Sequence, residues 1–322
     1  MLQRSRSRIL LIFCLNFFKN KKKQKREVRS CSSEFHRMGF ENFSFLARKL
    51  PSFKIHGSQV RIIHDPSVFY QELVNRSKSS HERIVMSALY WGIEERERRL
   101  RDTVAERLSS SSGGLRVKIL LDWCRGTRMV KNESSASLLR PLHDHNNDKS
   151  SCRLSFYQTP QLRGWLNRIL PSKWNELIGL QHCKVYIFDD SLIISGANLS
   201  QDYFTNRQDR YVLIENCKDL ADYYEDLLDQ ISKFSFEMNT KGKFSSSSSF
   251  ENLSLKNFVS KSCQVMQRFL SHHQQKHQVD ISQDYDTIIF PTLQMGLFGI
   301  NQVKLEIETS FRNIKYNIFP GL

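Results

Sequence analysis

The stretch Gln181-His182-Cys183-Lys184-Val185-Tyr186-Ile187-Phe188-Asp189-Asp190-Ser191-Leu192-Ile193-Ile194-Ser195 decides how this chain folds. Two apolar runs, 181–188 and 192–195, flank a short acidic turn, the pattern of a β-hairpin. Successive side chains of a strand point to opposite faces, so His182 and Lys184, two apart, share a face. An imidazole that can attack phosphorus and an ammonium that can hold phosphoryl oxygens then converge on one point. Asp189, at the turn, is expected to reach back and orient the pair. Beyond the second strand, Gly196-Ala197-Asn198 offers a small residue that permits close phosphate approach, and Asn198 offers an amide donor. A lone strand histidine is usually structural. The whole H-x-K-x4-D pattern in one hairpin, followed by Gly-Ala-Asn, rarely arises by chance.

Working outward, strand-like runs at 59–64, 83–90, 115–122 and 153–157 alternate with helical patterns at 67–77 and 94–108. Segment 131–147 reads as a helix and polar loop, and 163–170 as a short helix. After the hairpin come a strand at 210–215 and an amphipathic helix at 220–234. This alternation predicts an α/β fold with a mostly parallel sheet covered on both faces. The domain is expected to span 58–235. Residues 236–284, with five consecutive serines at 245–249, read as a polar linker whose later part is helical. Residues 285–322 begin a new strand–helix pattern, including a helix at 302–311. About 35 residues are too few for a core of their own, so this is read as the incomplete start of a second domain.

The net charge of +15 suggests nucleic acid until it is located along the chain. Residues 1–30 hold ten Lys or Arg and one acid, Glu27, which leaves a mildly basic body suited to small anions or an anionic membrane surface. Residues 1–35, basic around a ten-residue apolar run, read as a targeting segment, and a mitochondrial one is favoured. Spanning a bilayer takes about 20 apolar residues, so membrane contact is expected to be peripheral. Seven scattered cysteines without a C-x2-C pair argue against a disulfide framework or zinc site. His143-Asp144-His145 and the group His272, His273 and His277 read as solvated polar segments rather than metal ligands.

His182, Lys184 and Asp189 resemble the HKD motif of the phospholipase D superfamily, with Asn198 one position early for its usual G-S-x-N continuation. The flanking text narrows this. Thr159-Pro160-Gln161-Leu162-Arg163-Gly164, Asn175-Glu176-Leu177-Ile178-Gly179-Leu180, Gly196-Ala197-Asn198-Leu199-Ser200 and Tyr203-Phe204-Thr205-Asn206-Arg207-Gln208-Asp209-Arg210-Tyr211 are similar to the eukaryotic CDP-diacylglycerol:glycerol-3-phosphate 3-phosphatidyltransferase family. The likeness covers roughly 60–227 and 290–295. It implies a phospholipase D-like mixed sheet flanked by helices, and transfer of a phosphatidyl group from CDP-diacylglycerol to glycerol 3-phosphate through a phosphohistidine at His182. Lys184 and Asn198 would steady the phosphoryl oxygens, Arg207 and Arg210 would hold substrate phosphate, and neither cofactor nor metal is implied. The setting it implies is the anionic inner mitochondrial membrane, with no nucleic-acid partner.

Family members carry two such motifs, whereas here no other His is followed two residues later by Lys. On that resemblance the general acid for CMP departure belongs to the missing motif. Losing a general acid costs about 100- to 10,000-fold in rate, so a slow or inactive truncated isoform is one expectation. A single-motif homodimeric phosphodiesterase or nuclease, assembling its site from two copies, is the other.

Overall fold

The computed structural model describes residues 44–111, 114–146, 149–160, 181–278, 287–295 and 300–301. The targeting segment and the helices expected at 163–170 and 302–311 lie outside them.

The chain opens with α1 (Ser44–Lys49), β1 (Phe53–Ile55), β2 (Val60–Ile63) and α2 (Pro66–Ser79). Helix α2 starts where the sequence signals it: Asp65 caps the Ser67 N–H at 2.6 Å, and Pro66 occupies the first turn, where no N–H is needed. Then follow β3 (Arg83–Ala88), α3 (Glu95–Ser110), β4 (Arg116–Asp122), α4 (Trp123–Gly126), α5 (Ser135–Leu139) and β5 (Ser151–Tyr157). The hairpin is β6 (Val185–Phe188) and β7 (Ser191–Ser195), followed by α6 (Gln201–Thr205), β8 (Tyr211–Ile214) and α7 (Lys218–Ser232). Last come β9 (Phe236–Met238), β10 (Phe244–Ser246), α8 (Leu255–Lys276) and β11 (Thr287–Ile289).

Nine strands form one sheet in the order β10-β9-β5-β4-β3-β6-β7-β8-β2. Only the β3–β4 and β4–β5 pairs are parallel. The sheet is therefore mixed rather than mostly parallel, because the β6–β7 hairpin and the chain's return into β8 add antiparallel neighbours. Alternation along the strands splits the core in two. Met86, Ile119, Tyr186 and Ile193 face Phe69, Leu73, Leu100 and Val104 of α2 and α3. Val85, Leu120, Ile187 and Leu192 face Leu220, Tyr224 and Leu227 of α7, with Phe258 and Phe269 of α8 packed behind. A buried ionic network bolts α7 to the sheet: the Arg83 guanidinium meets Asp222 and Glu225, both at 2.6 Å, and Lys118 meets Glu225 at 2.6 Å and Asp229 at 2.7 Å. Removing one partner of such a buried group strands the others, at a cost of about 3–5 kcal/mol.

The segment read as a linker is folded onto this domain. Phe244–Ser246 adds an edge strand beside β9, and α8 buries Phe258, Met266 and Phe269 at helical spacing. The aromatic residues outweigh the serines between them: Phe250 lies 5.5 Å from Phe258, centroid to centroid. Strand β11, at the start of the expected second domain, pairs antiparallel with β1, Lys54 opposite Ile288.

Candidate active site

Strands β3 and β4 run parallel, and their carboxyl ends meet the start of β6, with Ser87 opposite Val185. Open α/β sheets bind ligands beyond such carboxyl ends. There Asp122, at the end of β4, is buried and accepts N–H bonds from Arg125 at 3.0 Å and Gln181 at 3.1 Å. The second bond fixes the backbone one residue before His182. Gln181 also donates its side-chain amide to Ser87 Oγ at 2.6 Å. Burial raises the Asp122 carboxyl to about 7, against the pull of those N–H donors.

His182 is exposed and Lys184 is fully buried. The Ser195 N–H bond to the Lys184 carbonyl, 3.2 Å, carries the β6–β7 ladder one residue further. Alternation therefore puts the Lys184 side chain on the Tyr186 face, beneath the imidazole's end of the hairpin. Its ammonium lies 3.4 Å from the His182 carbonyl oxygen. Burial pushes this lysine down to about 8, while the Cys183 thiol and the Asp209 carboxylate hold it up. A lysine so poorly solvated gains its full charge most readily when an anion arrives beside it.

Asn198, also buried, accepts the Leu89 N–H at 3.3 Å through its carboxamide oxygen. The NH2 end is thereby left as the donor, the polarity a phosphoryl oxygen requires. This bond holds the Asn198 turn to the end of β3.

Asp189 is elsewhere. Its carboxylate accepts backbone N–H bonds from His81 (2.9 Å), Glu82 (2.8 Å) and Arg83 (3.0 Å) at the start of β3. Five residues of extended chain, about 17 Å, separate it from Lys184, so it cannot orient the pair. Its φ of +49° is the left-handed conformation that Asp tolerates in a tight turn. The expected orienting role fails because the turn lies at the opposite end of the strand from the site.

A carboxylate near Lys184 does exist, one that the sequence places in the loop of Arg207 and Arg210 without giving it a role toward the lysine. Asp209 accepts the Gly196 N–H at 3.1 Å and the Arg210 N–H at 2.6 Å. A Cβ added at Gly196 would sit 2.5 Å from Asp209 Oδ1, so glycine is what admits this carboxylate to the hairpin's end. Arg207 and Arg210 are exposed, whereas Lys184 is buried. Arg207 instead lies over the Tyr203 ring, 5.4 Å from its centroid, and 3.8 Å from Asp202.

Beside Asn198 a cavity of about 380 Å³ opens between the β3–α3 loop, the turn after α4 and the start of α6. Arg125 and Arg128 stand on its wall, and Arg125 lies over Tyr90 at 5.0 Å from the ring centroid. Buried Glu97 underlies it and accepts the Gln201 N–H. Glu97 packs against Gly92 so closely that no Cβ fits there.

No family model matches the chain. It is 40% identical over 205 residues, 62% of its length and 36% of the relative's, to the CDP-diacylglycerol–glycerol-3-phosphate 3-phosphatidyltransferase, mitochondrial, of Bos taurus. A Dictyostelium discoideum protein named as the probable form of the same enzyme is 34% identical over 289 residues, 84% of this chain and 49% of that one. The Saccharomyces pastorianus enzyme of this name is 37% identical over 253 residues, 75% and 47% of the two chains. The chain thus spans between about a third and a half of the length of these curated relatives. Among solved structures it is similar to a Haemophilus influenzae phosphatidylserine synthase, with a TM-score of 0.48 and 20% identity over 71% of this chain and 47% of that one. It is also similar to Nuc, a phospholipase D family member from Salmonella typhimurium, with a TM-score of 0.39 and 16% identity over 58% of this chain and 98% of that one.

Proposed function

We propose that this homologue of the eukaryotic CDP-diacylglycerol–glycerol-3-phosphate 3-phosphatidyltransferases takes part in the same reaction, forming phosphatidylglycerophosphate and CMP from CDP-diacylglycerol and sn-glycerol 3-phosphate. The observation that carries this reading is the His182-x-Lys184 pair, set at the carboxyl ends of β3 and β4 within a chain 34–42% identical to enzymes of that name. The His182 imidazole attacks the phosphorus that bears diacylglycerol, a P–N bond forms, and the bond to the CMP oxygen breaks, CMP leaving as its phosphate anion and taking any proton from solvent. The 1-hydroxyl of glycerol 3-phosphate then attacks the phosphohistidine, loses its proton, and releases His182. Lys184 and the Asn198 amide steady the charge on the non-bridging oxygens in both steps. Asp209 keeps Lys184 charged as those oxygens approach.

The lipid substrate sets where this happens. Among the described residues no helix is long and apolar enough to cross a membrane. Met129 and Val130, 60% and 50% exposed, project at a tight turn between Arg128 and Lys131, at the rim of the cavity. Two apolar side chains flanked by two cations suit an anionic bilayer surface, and relatives named mitochondrial favour the mitochondrion as its site.

The test incubates the chain with CDP-diacylglycerol vesicles and labelled glycerol 3-phosphate. Labelled phosphatidylglycerophosphate should form, His182→Ala should abolish it, and omitting the acceptor should trap an acid-labile phosphoenzyme on His182. Cleavage of simple phosphodiesters or nucleic acid, with no phosphatidylglycerophosphate formed, would point instead to a phosphodiesterase.

A further inference from the structure

None of the residues lining the cavity beside Asn198 is used in the phosphoryl steps above. At about 380 Å³ it is near the low end of small-molecule sites, which run to about 300–1,000 Å³. That suits a small polar molecule and excludes the body of a two-chain lipid.

Its walls are chemically divided. On one side are Arg125, braced by its stacking on Tyr90, and Arg128, on the exposed turn. Two guanidiniums lining one cavity supply the kind of charge-assisted donors that a phosphate takes. On the other is Glu97, whose Oε1 is taken by the Gln201 N–H while Oε2 is buried with no hydrogen-bond partner. An orphaned buried carboxylate oxygen is costly and is relieved by an incoming hydroxyl donor. Between them, Ser200 Oγ and the Tyr90 hydroxyl sit 3.2 Å apart, two more groups that exchange hydrogen bonds with hydroxyls. The lining therefore offers cations to a phosphate and acceptors to hydroxyls.

It also adjoins the reaction centre through the backbone. Ser200 follows Asn198 by two residues, and Tyr90 follows Leu89, whose N–H is bonded to Asn198 Oδ1. The cavity's lining is thus continuous in sequence with the two segments that position the Asn198 amide.

We propose that this cavity is the acceptor site: Arg125 and Arg128 hold the phosphate of glycerol 3-phosphate, and Glu97 with Ser200 receives its 2-hydroxyl, which leaves the 1-hydroxyl to attack. The choice of acceptor rests on the function proposed above. The phosphate recognition could equally serve CMP, and the small volume of the cavity is what favours the diol glycerol 3-phosphate over the larger nucleotide.

Equilibrium binding to the whole chain separates these. Glycerol 3-phosphate should bind saturably, inorganic phosphate more weakly, and glycerol not measurably. Arg128→Gln, at an exposed position that leaves the fold intact by circular dichroism, and Arg125→Gln should each weaken glycerol 3-phosphate at least tenfold. His182→Ala should bind it as the wild type does. Glycerol 3-phosphate binding no tighter than glycerol, or indifferent to both arginines, overturns the proposal, and so does CMP taking the site with the same arginine dependence while excluding glycerol 3-phosphate. The two readings fail separately. Arginine-dependent binding without any phosphoenzyme at His182 sinks the proposed function and leaves the acceptor site standing; phosphatidylglycerophosphate formation with an unchanged KM for glycerol 3-phosphate in Arg128→Gln does the reverse.

Discussion

Replacing Lys184 by Met should make the protein more stable at neutral pH while removing its activity. Lys184 is fully buried, and burial lowers its ammonium from the ordinary 10.5 to about 8. A folded-state value below the unfolded one means that the fold disfavours the proton. The penalty is fully present below pH 8 and fades as pH rises from 8 to 10.5, where the unfolded chain still binds the proton that the folded one has lost. At about 1.36 kcal/mol per pH unit, the gap corresponds to about 3 kcal/mol at pH 7. Methionine has nearly the same length and needs no hydration, so it escapes this term. It forfeits only the 3.4 Å contact with the His182 carbonyl, worth about 1 kcal/mol in partial offset; the attraction of Asp209 is already contained in the value of about 8. Urea unfolding followed by tryptophan fluorescence should therefore show Lys184→Met about 2 kcal/mol more stable than wild type at pH 7. By pH 10 the gain should have vanished. Phosphatidyl transfer should fall by at least 100-fold, because no other buried cation among the described residues near His182 faces the phosphoryl oxygens. A variant less stable than wild type at pH 7, or a difference that does not change with pH, would refute the claim that an uncompensated charge is held there for chemistry.

Asp189→Ala strands three backbone N–H groups at the start of β3 and puts alanine at φ +49°; a loss of about 2–4 kcal/mol is expected. Asp189→Asn should lose less and keep wild-type turnover per folded molecule, whereas a large loss of turnover at unchanged stability would restore Asp189 to the catalytic machinery. Gly196→Ala drives a Cβ to 2.5 Å from Asp209 Oδ1, so thermal unfolding should show about 1–3 kcal/mol of destabilisation and the transfer assay at least a tenfold loss; wild-type behaviour would mean Asp209 has no fixed place. Changing both Met129 and Val130 to Ser removes the exposed apolar tip at a cost of about 1–3 kcal/mol of bilayer partitioning. Sedimentation with anionic vesicles should show at least about fivefold weaker binding, and equal binding would move the membrane contact elsewhere on the surface.

What could be read from the sequence, and what could not, divides by range. The period-two alternation of 185–195 and the capped helix at Asp65-Pro66 are encoded by neighbours in the chain, and the structure places those elements within a few residues of where the pattern puts them. Asp189 was misassigned because the groups it serves, the N–H donors of 81–83, lie more than a hundred residues earlier. A motif fixes which residues recur together and says nothing about which end of a strand each occupies. Asp209 was passed over for the complementary reason. It lies in a loop rich in charged residues, and only the missing Cβ of Gly196, thirteen positions away, admits it to the hairpin. The serine run misled through composition: Phe244, Phe250 and Phe258 are too sparse to lift the local average, yet each finds a ring partner in the fold. Glu97 shows the same limit at the proposed acceptor site. In sequence it is one charge of a highly charged helix, Glu95–Ser110. The fold alone makes it the carboxylate that burial isolates, and isolation is what gives it something to offer a ligand hydroxyl.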